Sequence, residues 1–339
     1  MPEQKSVLNI VMGAMTFGAP GKDGARVHDL KDVEAILDVF QKHGHTEIDT
    51  ARVYCGGTSE EYLRKIDWKG RGLKMETKLY PNVKPGVALD PSREPISHTP
   101  ESLRLHLERS LKALNTDKLD MWYLHAPDRT TSYEVTMKAV NDLYKEGLFE
   151  RFGISNYASW EVAEIVGICR ANDYIQPTAY QGIYNAIHRG VEPELFPCLR
   201  KFGISFYEFN PLGGGFFTGR YTSIDDQVES GARFDPSKQQ GKNYRNRYWN
   251  EPYFKALQPI HAVAEKHGLT MAEIALRWIS NHSLMKREYG DSVLIGASSL
   301  QHIEQNLVDL EKGPLPEEVV KVLDEAWLSV KLYATNYWH

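Results

Sequence analysis

Long apolar runs are missing from this sequence. No stretch approaches the roughly 20 residues that span a bilayer, so no membrane association is expected. The opening residues, MPEQKSVLNIVMG, hold no apolar core long enough for a secretion signal. Cysteine is scarce: Cys55, Cys169 and Cys198 have no metal-ligand spacing. Their odd number fits a reducing compartment, and the expected location is cytoplasmic. An excess of basic charge is missing too. The net charge of −5 and a pI near 6.2 argue against a general nucleic-acid binder. There is no low-complexity tract and no obvious internal repeat. What remains, 42% hydrophobic and 25% charged over 339 residues, is an ordinary globular composition.

Short β-rich runs alternate with longer amphipathic ones. Strands are expected at 8–12, 46–50, 72–78, 119–124, 151–155, 177–181, 205–209 and 292–296. These are brief apolar runs rich in β-branched and aromatic residues, as strands buried on both faces require. Helices are expected at 30–43, 100–114, 133–146, 159–171, 193–202, 253–267, 271–281, 299–310 and 316–330. Residues 30–43 place Val33, Ile36, Leu37 and Phe40 on one stripe, and 100–114 open with an N-cap followed by Pro. Eight strands alternating with helices predict an α/β fold: one domain over 1–339, a closed (β/α)8 TIM barrel. The rival is a doubly wound sheet. Against it, the segment after the first strand reads VMGAMTFGAPG and lacks the G-x-G-x-x-G fingerprint. Two regions exceed the plain barrel: a long Gly-, Gln- and Arg-rich loop at 211–250 after strand seven, and an aromatic tail, KLYATNYWH, at 331–339.

Active sites of such barrels lie at the C-terminal ends of the strands. Asp49, Lys78 and His125 fall at those ends, and Tyr54 follows in the loop beyond strand two. A phenol is a poor acid at neutral pH. A nearby ammonium stabilises the phenolate and brings it toward the range useful for general acid catalysis. A buried carboxylate would keep that lysine charged and oriented. Carbonyl reduction needs such a phenol, because the new alkoxide must receive a proton. Taken singly, each residue has a plainer reading: Asp49 as a cap or ion-pair partner, Tyr54 as packing, Lys78 as a solvated charge, His125 as a structural ring.

The stretches GHTEIDTARVYCGGTSE, METKLYPN, MWYLHAPD, FGISNYASWEVAEI and YQGIYN resemble the aldo-keto reductase superfamily along nearly the whole chain. ELFPCLRKFGISFYEFNPLGGGFFTGRY, YRNRYWNEPYF, ALRWISNHS and LIGASSLQHIEQNL narrow the likeness to its aflatoxin-aldehyde reductase branch. The resemblance implies NADPH-dependent reduction of aldehydes or ketones, without a metal. The nicotinamide C4 gives the hydride, Tyr54 the proton, Lys78 and Asp49 tune Tyr54, and His125 orients the carbonyl oxygen. It also implies a set of NADPH contacts. Ser155, Asn156 and Gln181 would hold the carboxamide, whose amide must both donate and accept, and Phe209 would stack on the nicotinamide. Asn210, Pro211, Leu212, Gly214 and Arg220 lie in a segment that would cross the pyrophosphate, where glycine lets backbone N–H groups approach an anion. Arg233 would touch the dinucleotide. Ser298, Ser299, Gln301, Gln305 and Asn306 would receive the 2′-phosphate at a helix N-terminus.

For substrate the resemblance implies Met15, Tyr244 and Arg247, the last two holding an acidic group. Where the family carries a C-terminal arginine this chain ends Tyr337-Trp338-His339. A histidine cannot hold a carboxylate as an arginine does, through paired charged hydrogen bonds. Tyr337 and Trp338 would offer an aromatic wall to a flatter substrate instead. A homodimer is the branch's expected state. Three alternatives stand beside this reading: an NADP-occupied sensor or regulatory subunit with slow turnover, a metal-dependent barrel hydrolase built around His125 and Asp128, and, for Cys55, a redox-sensitive thiol rather than packing.

Overall fold

The computed structural model describes residues 3–339. Eight strands, β1 (Asn9–Gly13), β2 (Glu47–Asp49), β3 (Lys74–Leu79), β4 (Leu119–Leu124), β5 (Phe149–Ser155), β6 (Ala179–Ile183), β7 (Ser205–Phe209) and β8 (Ser292–Gly296), close into one parallel barrel in sequence order. Closure is direct, since β1 pairs with both β2 and β8. The eight expected strands are all present, and the doubly wound alternative is gone.

The helices are α1 (Leu30–Lys42), α2 (Thr58–Lys65), α3 (Pro100–Leu114), α4 (Tyr133–Lys145), α5 (Ser159–Ala171), α6 (Leu195–Phe202), α7 (Gln239–Tyr248), α8 (Glu251–His267), α9 (Met271–Asn281), α10 (Leu300–Leu310) and α11 (Glu317–Val330). Caps fix several starts: Asp29, Thr99, Ser132 and Ser299 each accept a backbone N–H of the first turn. Two helices were not expected. α2 is short and follows at once on a left-handed turn. α7 corrects the loop at 211–250: its QQGKNYRNRY has no apolar stripe, so periodicity gives no sign of it. The tail likewise opens with a 3-10 turn at Lys331–Tyr333.

Strand alternation makes two layers. Val11, Met121, Tyr123, Ala179, Tyr207 and Leu294 pack inside the barrel, and a much larger apolar layer lies between strands and helices. The interior also holds charge. Arg151 pairs with Glu47 and approaches Glu76 at 3.6 Å, while Tyr123 Oη donates to Glu76 at 3.2 Å. Burial, then Glu47 and Asp49, push the Glu76 carboxyl well above its ordinary range.

Glu208 is a different case. It alternates with Tyr207 and Phe209, so it faces the helical layer, where it is fully buried. Neither carboxyl oxygen has a hydrogen-bond partner. Burial raises its pKa well above the ordinary value, with no charged neighbour contributing. A buried group left unsatisfied costs about 1–3 kcal/mol. Glu208→Met, of similar length, is therefore expected to raise stability by about that amount at neutral pH. The folded state holds a proton that the unfolded chain releases once pH passes the ordinary glutamate value. Wild-type stability thus falls as pH rises from there toward the folded pKa, and the advantage of the variant grows over the same span. Urea unfolding of both proteins at acid and alkaline pH measures it; equal stabilities at both would sink the idea.

Candidate active site

The rim at the C-terminal ends of the strands collects the four expected residues. Lys78 is fully buried inside the barrel. Its Nζ donates to Asp49 Oδ1 at 2.5 Å and to the Thr50 carbonyl at 2.8 Å, and reaches Tyr54 Oη at 3.4 Å. The last contact is at the long end of the hydrogen-bond range. Lys78 Nζ also lies 5.0 Å from the Tyr54 ring centroid. The His125 ring meets Tyr54 edge-on at 5.6 Å between centroids.

Local backbone geometry aims Tyr54. Cys55, Gly56 and Gly57 take φ of 52°, 62° and 91°, reversing the chain into α2. Gly57 cannot be replaced without movement, because a Cβ there would stand 2.8 Å from the Arg52 guanidinium. That guanidinium in turn pairs with buried Glu60 at 2.9 Å.

Burial raises Asp49 above its ordinary value, opposed by Lys78 and by the Gln181 amide. Burial also works against the Lys78 charge, but Asp49 and then Tyr54 outweigh it and hold the ammonium up. Tyr54 departs from the sequence expectation. Burial raises its pKa, and the opposing pull of Lys78 does not overcome it. The phenol is thus a proton holder at neutral pH, the state an acid needs before it acts. For His125, burial first, then Lys78 and His339, lower the pKa well below the usual range. Its neutral ring keeps one N–H to offer a carbonyl oxygen, and Nδ1 is buried without a partner. These directions predict a pH profile. As pH falls through the ordinary histidine value of about 6.5, His125 stays neutral, and as it rises through neutrality Tyr54 stays protonated. The expected kcat/KM for reduction is flat from about pH 6 to 8. A limb near 6.5 that vanishes in His125→Asn would contradict this.

Around the quartet stand groups suited to an amide. Asn156, at φ 63°, donates through Nδ2 to the His125 carbonyl at 2.8 Å and to Ser155 Oγ at 3.0 Å. Its Oδ1 is buried and unpartnered. Gln181 Nε2 donates to Asp49 Oδ2 at 2.9 Å, which turns its carbonyl oxygen away from the carboxylate. Phe209 is half-buried at the end of β7, packed on the interior cluster. Asn210, at φ 79°, is tied by Nδ2 to Tyr248 Oη at 2.8 Å, and buried Pro211 and half-buried Leu212 lead into the glycine run.

Gly213, Gly214 and Gly215 all take positive φ. At Gly214 a Cβ would come within 2.3 Å of the Tyr244 ring and 3.3 Å of Arg233 Cγ, so side chains of the long segment close directly on this backbone. Arg220 instead pairs outward with Glu229 at 2.5 Å. Ser299 caps α10 on the His302 N–H at 3.2 Å, Ser298 Oγ meets His302 Nδ1 at 3.0 Å, and Gln305 bonds Asp309 at 3.0 Å. Gln301 is exposed there and Asn306 buried.

Of the residues expected to meet substrate, Met15 has its Sδ 3.9 Å from Arg233 and from Gln240. Arg247 sits 5.7 Å over the Tyr244 ring and makes no ion pair among the described residues. The tail returns to the rim: the His339 N–H donates to the Asn156 carbonyl at 3.0 Å, and Arg129 donates to the main-chain oxygen of His339 at 2.7 Å and stacks near Trp338. Tyr337 corrects the expected aromatic wall. It is buried, bonded to the Ser159 N–H at 3.0 Å and to Glu194, and so anchors the tail rather than facing a ligand. Cys55 is buried, donates to the Met15 carbonyl at 3.2 Å, and burial pushes its thiol up to about 11 despite Arg26 and Arg233. That thiol is poorly ionised and packed.

Three contributors were absent from the sequence reading. Tyr80 meets His125 edge-on at 5.2 Å, with its Oη 3.5 Å from His339 Nδ1. It was reachable, because Tyr80 continues the alternation of Glu76 and Lys78 one residue past the end of β3. Thr50 acts through its carbonyl, which leaves no mark in a sequence. Arg26, from the loop between β1 and α1, donates to Gln240 Oε1 at 3.1 Å.

Comparison with known proteins agrees with this architecture. The model of the aldo/keto reductase family matches residues 9–328. An aldo-keto reductase of Pseudocercospora fijiensis is 50% identical over 302 residues, covering 89% of this chain and 99% of its own. The aldo-keto reductase pigE of Monascus ruber is 46% identical over 99% of this chain and 98% of its own. Aflatoxin B1 aldehyde reductase member 2 of Mus musculus is 42% identical over 96% of this chain and 86% of its own. A closed eight-stranded barrel matched almost end to end by such relatives leaves one assignment: this chain belongs to the aldo/keto reductase family, whose members are NADP-dependent oxidoreductases.

Proposed function

We propose that this enzyme reduces aldehydes or ketones to alcohols with NADPH, using Tyr54 as the proton donor. The observation that carries the reading is the buried triple contact of Lys78 with Asp49, the Thr50 carbonyl and Tyr54. A fully buried lysine with these partners has one neighbour it can serve chemically, the phenol.

The residues fit a nicotinamide. The unpartnered Asn156 Oδ1 and the free oxygen of Gln181 are acceptors for a carboxamide NH2, and Ser155 Oγ is a donor for its carbonyl. Phe209 offers a half-exposed ring at the same rim. NADPH bound there would supply the hydride. The chain's own residues do the rest. His125 gives an N–H to the carbonyl oxygen and fixes the face presented. As negative charge grows on that oxygen, Lys78 stabilises the phenolate left on Tyr54, so the proton moves more readily. Asp49 keeps Lys78 in place and charged. Arg247, unpaired among the described residues beside Tyr244, leaves positive charge on the substrate side. That favours aldehydes carrying an anionic group some distance from the carbonyl.

The test is a single-turnover experiment with NADPH deuterated at C4 and a panel of carboxylated aldehydes, dicarbonyls and polycyclic aromatic aldehydes. Deuterium is expected on the former carbonyl carbon of the alcohol. Bound NADPH that no carbonyl in the panel oxidises would overturn the reading.

A further inference from the structure

One buried carboxylate joins the two chain segments that carry Tyr54 and Lys78. Glu60 lies in the first turn of α2, with its side chain closed off from solvent. Its Oε1 accepts the Thr77 hydroxyl at 2.7 Å, and its Oε2 accepts Arg52 Nη1 at 2.9 Å. Thr77 directly precedes Lys78 on β3, and Arg52 stands just before the turn of Tyr54. Strand alternation puts Thr77 on the face opposite Lys78, toward the helical layer. Glu60 therefore reaches both segments from outside the barrel.

Neighbouring contacts tighten the same junction. Arg52 Nη1 also donates to the Gly57 carbonyl at 3.2 Å, and the Arg52 backbone N–H reaches the Lys78 carbonyl at 3.4 Å. The left-handed turn after Tyr54 is packed on that guanidinium, which a Cβ at Gly57 would meet at 2.8 Å. Ser59, the residue before Glu60, donates to the Ala14 carbonyl at 2.9 Å, so its oxygen is the acceptor for Thr50 Oγ1 at 2.8 Å. Thr50 is the residue whose carbonyl receives Lys78 Nζ. Through Thr50, Arg52 and Thr77, the start of α2 is bonded to the chain on both sides of the contact between Lys78 and Tyr54.

An apolar side chain could pin α2 to the barrel without the desolvation cost of a buried charge. A carboxylate adds direction, because its two hydrogen bonds fix Arg52 relative to Thr77. Direction matters at this place. Lys78 Nζ and Tyr54 Oη are 3.4 Å apart, so a small displacement opens the contact. We propose that Glu60 is a positioning residue for proton transfer, its two hydrogen bonds setting the separation of Tyr54 from Lys78. It acts through Arg52 and Thr77. The inference rests on the proposed role of Tyr54 as proton donor.

Rapid mixing of the full chain with NADPH and an aldehyde, in H2O and in D2O, tests it on Glu60→Gln, Thr77→Val and Thr77→Ser. Misplacement of a reacting group by about 1 Å can cost about a hundredfold in rate. Glu60→Gln and Thr77→Val are each expected to lower the single-turnover rate by about ten- to hundredfold. Their solvent isotope effect is expected to exceed that of wild type, because the proton step becomes the slower one, and their NADP+ affinity to stay unchanged. Thr77→Ser, which keeps the hydroxyl, is expected to recover most of the loss. Should Glu60→Gln fail to fold, the two Thr77 variants carry the test alone. A lower melting temperature with the wild-type rate would make Glu60 a structural anchor and overturn the proposal. A slower rate without the larger solvent isotope effect would overturn it too. Wild type that oxidises NADPH with no carbonyl would instead remove the proposed function, and the positioning role with it.

Discussion

Tyr54→Phe is expected to lower kcat for carbonyl reduction by about 10²–10⁴, the usual worth of a positioned general acid, while NADP+ affinity is unchanged. The substitution removes one oxygen and little else. The phenyl ring keeps its edge contact with His125 and its place near Lys78 Nζ. The groups assigned to the carboxamide, Ser155, Asn156 and Gln181, are bonded to one another, to the His125 carbonyl and to Asp49, and none depends on Tyr54. Cofactor binding and turnover should therefore separate cleanly. The rival donor is His125, but its depressed pKa leaves it neutral, with a proton it gives up reluctantly. Rapid mixing of the variant with NADPH and an aldehyde, beside a binding titration, gives both numbers. Turnover within tenfold of wild type would transfer the proton to another group.

Much of this site was legible in the sequence because its residues lie at strand ends, and strands buried on both faces announce themselves as short apolar runs. Once eight such runs close in order, Asp49, Lys78 and His125 share a rim by necessity. What stayed illegible depends on closure itself. Gln181 donates to Asp49 across 132 positions of sequence, and Thr50 contributes only a carbonyl. α7 has no apolar stripe and buries only Gly241 and Tyr248. The direction of the Tyr54 shift could not be read from residue types either. A neighbouring ammonium argues for a lower pKa and burial for a higher one, and the fold decides how deep the phenol sits. Tyr337 was read as a ligand wall because aromatic tails near a rim look alike in sequence. Only its partners, the Ser159 N–H and Glu194, show an anchor.

The other large effect is expected at Lys78. Lys78→Met leaves Asp49 inside the barrel with Gln181 as its remaining partner, and breaking a buried pair in this way costs about 3–5 kcal/mol. Asp49→Asn added to Lys78→Met removes the orphaned charge while keeping an acceptor for Gln181 Nε2, so the double variant should be more stable than Lys78→Met alone. Turnover should be lost in both. The pH dependence follows by sign. Without the ammonium, burial holds the folded Asp49 pKa further above its unfolded value. The stability of Lys78→Met is then fullest below the ordinary aspartate range and falls as pH rises toward the folded pKa. Urea unfolding at pH 5 and pH 8, on wild type, both single variants and the double, supplies the cycle. A double variant as unstable as the sum of the singles would show the two side chains to be independent, and the contact at 2.5 Å to be incidental. The expected outcome says something else about why the pair is there. A neutral replacement can recover stability without recovering turnover, so the buried charge is held for what it does to the phenol 3.4 Å away rather than for the fold.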